Sequence, residues 1–73
     1  MNGNIRLQDV DDTTRAKVAV IVQAARDWQG ERITWAEFMR RADVTVSGEC
    51  CLAGIGYNTD GAEIESRALA AAV

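Results

Sequence analysis

Apolar residues return every three or four positions over most of residues 13–72, and the breaks in that rhythm divide the chain into helical segments. In AKVAVIVQAARDW, Val18, Ile21, Ala25 and Trp28 recur at helical spacing with Val22 beside them, which puts them on one stripe of a helix. Asp11, Asp12, Thr13 and Thr14 supply acidic and capping side chains in front, and Gly30 stands behind. The pattern predicts a first helix over residues 13–28. Its valines and isoleucine lower intrinsic helix propensity and leave a strand open locally, but the length of the pattern favours the helix.

The densest local signals fall in ITWAEFMRRADVTVSGECCL, residues 33–52. Thr34 is a good N-cap, Glu37 three residues on completes a capping box, and Ile33 and Phe38 occupy the two positions of a hydrophobic staple. A second helix from Thr34 carries Phe38 and Ala42 on one face and Arg40 and Arg41 on the other, and Asp43 falls where the chain must turn. Beyond Asp43 two conformations fit the residues. Ser47 can cap a third helix, GECCLAGIGY, with Leu52 and Ile55 inward, although Gly48, Gly54 and Gly56 each cost about 1 kcal/mol relative to alanine in a helix interior. Alternatively VTV and CCLAGIGY pair as a short β-hairpin within residues 44–57, turning at Ser47, Gly48 and Glu49.

Asn58, Thr59, Asp60 and Gly61 form a loop, and Asp60 with Glu63 makes another capping box before AEIESRALAAA. There Ile64, Ala68 and Ala72 line one face with Leu69 alongside. The expected fold class is therefore mainly α: a small domain of three to four helices with a helix-turn-helix-like core, spanning residues 13–73. Residues 1–12 read as a tail or short extended segment, in which Ile5, Arg6 and Leu7 are candidates for docking on a partner or on the domain's own edge.

Size and composition support one compact unit. A chain of 73 residues has room for one small core, burying only about 60% of its unfolded surface. The apolar fraction of 48% and the absence of proline argue against disorder. Cys50 and Cys51 are adjacent and cannot staple distant segments, so they are expected to be plain buried thiols in a reducing cytoplasm. No apolar run approaches the ~20 residues of a membrane span, and MNGNIRLQDVDD lacks the basic and apolar regions of a signal peptide. The expectation is a cytoplasmic monomer that does not enter a membrane.

Charge is more informative in its distribution than in its net value of −3. Residues 1–12 hold one base and three acids, residues 13–41 six bases and three acids, and residues 42–73 one base and five acids. A basic middle lies between acidic ends. Seven of the eight bases are arginines, whose planar fork suits protein or phosphate contacts better than a lysine point charge.

The chemistry of catalysis is thin. There is no histidine, which removes the commonest general base and the commonest zinc ligand. There is also no C-x-x-C pair, P-loop, dinucleotide-binding G-x-G-x-x-G or G-x-S-x-G. Asp11 with Asp12, or Glu63 with Glu65, fits a solvated helix start better than a catalytic carboxylate pair. The expectation is a protein that is not an enzyme and uses no cofactor or metal.

The order of elements, with Phe38, Ala42, Val44 and Leu52 at apolar positions across the turn, resembles the Cro/repressor-type helix-turn-helix family over about residues 15–72. It departs from that pattern at Asp43, where glycine is usual, and at Glu49, which would fall on a buried position early in the recognition helix. Ser47, Gly48, Glu49, Cys50 and Cys51 offer none of the side chains that read base edges. A net charge of −3 also gains little from counterion release, so DNA is the disfavoured partner. In size, charge and helical character the chain looks like the small phage-encoded regulators that bind bacterial RNA polymerase. That resemblance implies contacts to the large polymerase subunits, with inhibition of initiation, antitermination, or both. Tryptophan and arginine are enriched at interface hot spots, which makes Arg6, Arg32, Trp35, Arg40 and Arg41 the candidate partner-binding residues. For Trp35 the competing expectation is that it folds back onto Trp28 to complete the core.

Overall fold

A computed structural model describes residues 9–73 as four helices: α1 Asp12–Gln29, α2 Trp35–Ala42, α3 Val46–Leu52 and α4 Gly61–Ala72. The candidate Arg6, with its neighbours Ile5 and Leu7, lies outside the described residues. Each helix begins at a side chain that accepts a hydrogen bond from a backbone N–H three residues on. The pairs are Asp11 with Thr14 (2.8 Å), Thr34 with Glu37 (3.1 Å), Thr45 with Gly48 (3.1 Å) and Asp60 with Glu63 (2.8 Å). Such caps satisfy one of the donors that every helix start leaves unpaired, typically contributing about 1 kcal/mol each. Asp12 is already helical, and Val10 packs partly buried against the core, so the folded unit begins a few residues before the expected boundary at 13.

Helix α1 is the shared element: α2 and α4 both pack on it, and α3 packs on α4. The core is built from Val18, Ile21, Ala24 and Ala25 of α1, Phe38 and Ala42 of α2, Leu52 of α3, Ile55, and Ile64, Ala68, Leu69 and Ala71 of α4. Five of these twelve are alanines. Small side chains at the crossings let helix axes approach closely, and Phe38, Ile21, Leu52, Ile64 and Val18 supply the bulk.

The third segment resolves the choice between helix and hairpin. Among the described residues there is no strand, and residues 46–52 are helical. The cap is Thr45 rather than Ser47, and the helix stops at Leu52 instead of continuing through Tyr57. Gly54 and Gly56 thus fall outside it, where their helix-breaking cost does not arise. Leu52 and Ile55 are inward as expected, although Ile55 lies beyond the end of the helix. Gly48 and Leu52, four apart, are buried, whereas Glu49 is exposed, as is Cys50; Cys51 is half-buried. The expectation of two buried thiols is corrected, and Glu49 does not take the buried position that a Cro-like pattern would give it.

Two turns take left-handed backbone without glycine. At Asp43 φ is 47°, and the turn is tied to α1 by Lys17, whose Nζ donates to the Asp43 carbonyl at 2.8 Å. At the end of α1 the chain leaves helical geometry at Gly30, but the left-handed residue is Glu31, with φ 59°. Glu31 N–H donates to the Trp28 carbonyl and Arg32 N–H to the Asp27 carbonyl, both at 2.9 Å, which is the paired pattern of a Schellman cap. The hydrophobic contact that usually closes this motif is replaced by an ion pair, Arg32 to Asp27 at 3.0 Å.

Two substitutions test this account with opposite signs. A Cβ on Gly48 would lie 2.7 Å from the Val44 Cβ and 3.1 Å from the Ala71 carbonyl oxygen. Gly48→Ala is therefore expected to destabilise by about 1–3 kcal/mol through overpacking, despite alanine's better helix propensity. Glu31→Gly is expected to stabilise by up to about 1 kcal/mol by relieving left-handed strain. Urea unfolding midpoints of both variants against the parent chain measure the two signs.

Candidate interaction surface

Trp28 joins three parts of the fold. Its ring stacks on Tyr57 of the α3–α4 loop at 4.4 Å and on Phe38 of α2 at 6.1 Å, and it meets Trp35 edge-on at 4.8 Å. Trp35 is in turn edge-on to Phe38 at 5.0 Å. Four aromatic residues, the whole aromatic complement of the sequence, thus gather in one cluster. Trp35 folds back onto Trp28, as the competing expectation had it, and meets Phe38 as well. It is half-buried and completes this cluster. The loop bearing Tyr57 is held by Gln29, whose Nε2 donates to the Gly56 and Thr59 carbonyls, each at 2.9 Å. Tyr57 itself remains 58% exposed. Nothing in the periodicity marked it, because it stands in a loop; a lone tyrosine between Gly56 and Asn58 was the available signal.

The structure brings Arg32, Arg40 and Arg41 into one network with two carboxylates. Asp27 accepts from Arg32 through Oδ1 at 3.0 Å and from Arg41 through Oδ2 at 3.4 Å. Glu37 accepts from Arg41 at 2.9 Å and from Arg40 through both of its oxygens. Gln23 adds an amide donor to Asp27 at 3.2 Å. The Arg40 and Arg41 hydrogen bonds hold the Glu37 carboxyl at about 2, well below its ordinary 4.5. Asp27 is also lowered, first by its hydrogen bond from Arg32, and Arg40 is raised by Glu37. Asp27 is the member that sequence reasoning missed, since it reads there only as the last charge of a helix.

A second arginine acts from α4. Arg67 donates through Nη1 to the Cys51 carbonyl at 3.1 Å and through Nε to Glu63 at 2.7 Å. Helix α3 has no basic residue in its own last turn, so Arg67 supplies the positive charge that a helix C-terminus favours. A Cβ on Gly54 would lie 2.2 Å from that guanidinium, so a side chain there would make Arg67 shift.

The exposed surface of α3 is led by Val46, at 80% exposure, with Ser47, Glu49 and Cys50. It carries one acid and no base. Among the described residues no His/Cys/Asp/Glu group is arranged to hold a metal, and no helix is long and apolar enough to cross a membrane. Compared with protein-family models, curated proteins and solved structures, the chain matches none.

The ion network sets an acid limb to stability. A group whose folded pKa is depressed stabilises the fold above its unfolded pKa and loses that contribution as pH falls toward the folded value. For Glu37 the window runs from 4.5 down to about 2. The melting temperature is expected to decline across that window, and the decline should be shallower in Glu37→Gln; an identical acid limb in both proteins would contradict the assignment. Because these side chains face solvent, the effect should be modest and weaken in high salt. Trp35→Ala is expected to destabilise by roughly 1–3 kcal/mol, less than the fully buried case, by removing a half-buried partner of Trp28 and Phe38. Thermal melts check it against Arg40→Ala, which should be near neutral.

Proposed function

We propose that this chain is a small transcription regulator that acts as a monomer through protein contact, with the large subunits of bacterial RNA polymerase as its partner in the host cytoplasm. In this reading it restrains initiation, promotes antitermination, or both, without catalysis or a cofactor. The observation that carries the choice of a protein partner is the internal pairing of the arginines. Arg32, Arg40 and Arg41 already spend their forks on Asp27 and Glu37, leaving little free positive charge for a phosphate backbone. Helix α3, which would read DNA in a Cro-like repressor, displays Val46, Glu49 and Cys50, none of them a bidentate reader of bases. The assignment to polymerase rests on the likeness in size, charge and helical character to phage-encoded regulators of that enzyme.

The contact patch on this reading is the aromatic end of the molecule with its basic neighbours. Tyr57, Arg32, Arg40 and Arg41 are its exposed members, backed by the half-buried Trp35. Exposed aromatic rings and arginines over a rigid base are what hot spots are made of. Capture of polymerase from bacterial lysate on the immobilised chain, beside a DNA shift assay at ~0.15 M salt, is the test. Recovery of the large subunits with no DNA shift is expected, and Arg32→Ala with Tyr57→Ala should weaken capture about tenfold or more. Absence of polymerase defeats the proposal, and tight, salt-sensitive DNA binding would establish a repressor instead.

A further inference from the structure

The chain between α3 and α4 is anchored first by Ile55, which is 4% exposed in the core and whose N–H donates to the Leu52 carbonyl at 3.0 Å. Two residues on, Tyr57 and Asn58 form the tip of a β-turn that Gly56 and Thr59 close. The Thr59 N–H donates to the Gly56 carbonyl at 3.2 Å, and the Gly56 N–H donates to Thr59 Oγ1 at 2.7 Å. These bonds are local. They shape the turn but do not set where it sits on the molecule.

Two consecutive residues at the end of α1 do that. Trp28 takes the Tyr57 ring, with the two planes 23° apart and the centroids separated by 4.4 Å. Gln29 takes the backbone, its Nε2 donating to the Gly56 and Thr59 carbonyls, each at 2.9 Å, on either side of Tyr57. A primary amide carries two N–H groups, and both are used on this turn. Gln29, Gly56 and Thr59 are half-buried, where a hydrogen bond is electrostatically stronger than in water. Stacked rings tolerate an offset, whereas hydrogen bonds weaken steeply as they bend. The amide is therefore the directional half of the grip.

We infer that Gln29 is the positioning residue of the interaction surface: it fixes the turn so that Tyr57 is already stacked on Trp28 and turned to solvent when a partner arrives. Ile55 anchors the loop to the core independently, so the two bonds of Gln29 bear on the turn that carries Tyr57. A contact residue held in place beforehand loses less freedom on association. Loss of the amide should thus weaken binding although no contact atom is removed. The inference rests on the reading of Tyr57 as a contact residue, but its first test needs no partner.

The experiment compares the full chain with Gln29→Glu and Gln29→Ala by NMR. Glutamate keeps the length and shape of the side chain, while its carboxylate accepts hydrogen bonds and donates none. In the parent, the Trp28 ring current displaces the Tyr57 ring protons from their random-coil positions. In both variants that displacement should largely vanish and the Thr59 amide should exchange with solvent about tenfold faster, while the Ile21 and Ile64 methyl shifts in the core stay as in the parent. An unchanged Tyr57 signal in Gln29→Glu overturns the inference. So do core methyls that move together with Tyr57, because Gln29 would then be a general support of the fold. In the capture assay Gln29→Glu should lose about fivefold in polymerase binding, and should add nothing in a chain already carrying Tyr57→Ala. Losses that add in full overturn the positioning role. A parent chain that captures no polymerase defeats the proposed function, and the Tyr57 resonances still decide this inference.

Discussion

The fold depends on α1 being covered along two flanks at once. One flank takes Phe38 and Ala42 of α2, the other Ile64, Ala68 and Leu69 of α4, and these contacts use up the apolar stripe of the longest helix. Helix α3 is seven residues long, too short to persist alone. It is kept by Leu52 in the core, by Gly48 against Val44 and Ala71, and by Arg67 at the Cys51 carbonyl near its C-terminus. Removal of α4 from α1 would therefore release α3 as well. Trp28 binds the arrangement at one end, because its ring touches α2 and the α3–α4 loop together.

Electrostatics divides the same molecule differently. The acids that oppose Arg32, Arg40 and Arg41 are not scattered but come from the last turn of α1 and the first turn of α2. Asp27 serves as structural closure for the α1 terminus and as counterion for two arginines. A network of this kind orients long side chains at little net gain in stability, and an oriented guanidinium loses less freedom on meeting a partner. Under the proposed function, that is the physical link between the ion pairs and partner binding. The aromatic cluster likewise holds Tyr57 and Trp35 in place.

Much of the architecture was legible in the sequence because it is governed by contacts three or four residues apart. The caps at Thr34 and Asp60, the ends of α1 and α2, and the inward Phe38, Ile64 and Ala68 all follow from local hydrogen bonding and the 3.6-residue period. The region after Asp43 was not legible. Valine and threonine alternate there as they would in a strand, and Ser47 competes with Thr45 as a cap. In the fold Thr45 is the cap, Gly48 faces inward against Val44 and Ala71, and Glu49 faces out.

The candidate residues show the same division. That Arg40 lies on the face of α2 opposite Phe38 follows from spacing alone, whereas Arg41, three residues after Phe38, sits beside it toward α1. That they converge with Arg32 on Asp27 and Glu37 was settled by packing, because Arg32 to Asp27 spans a left-handed turn and Arg41 to Asp27 crosses between helices. Trp35 was settled there too: its ring reaches back over Phe38 once Trp28 is near. Local sequence was enough for α1, α2 and α4, their caps and their buried stripes, since backbone hydrogen bonding and hydrophobic periodicity act over a few residues. The register of α3, the aromatic cluster and the pairing of the arginines belong to the tertiary structure, since each joins side chains that only the packing of helices brings into reach.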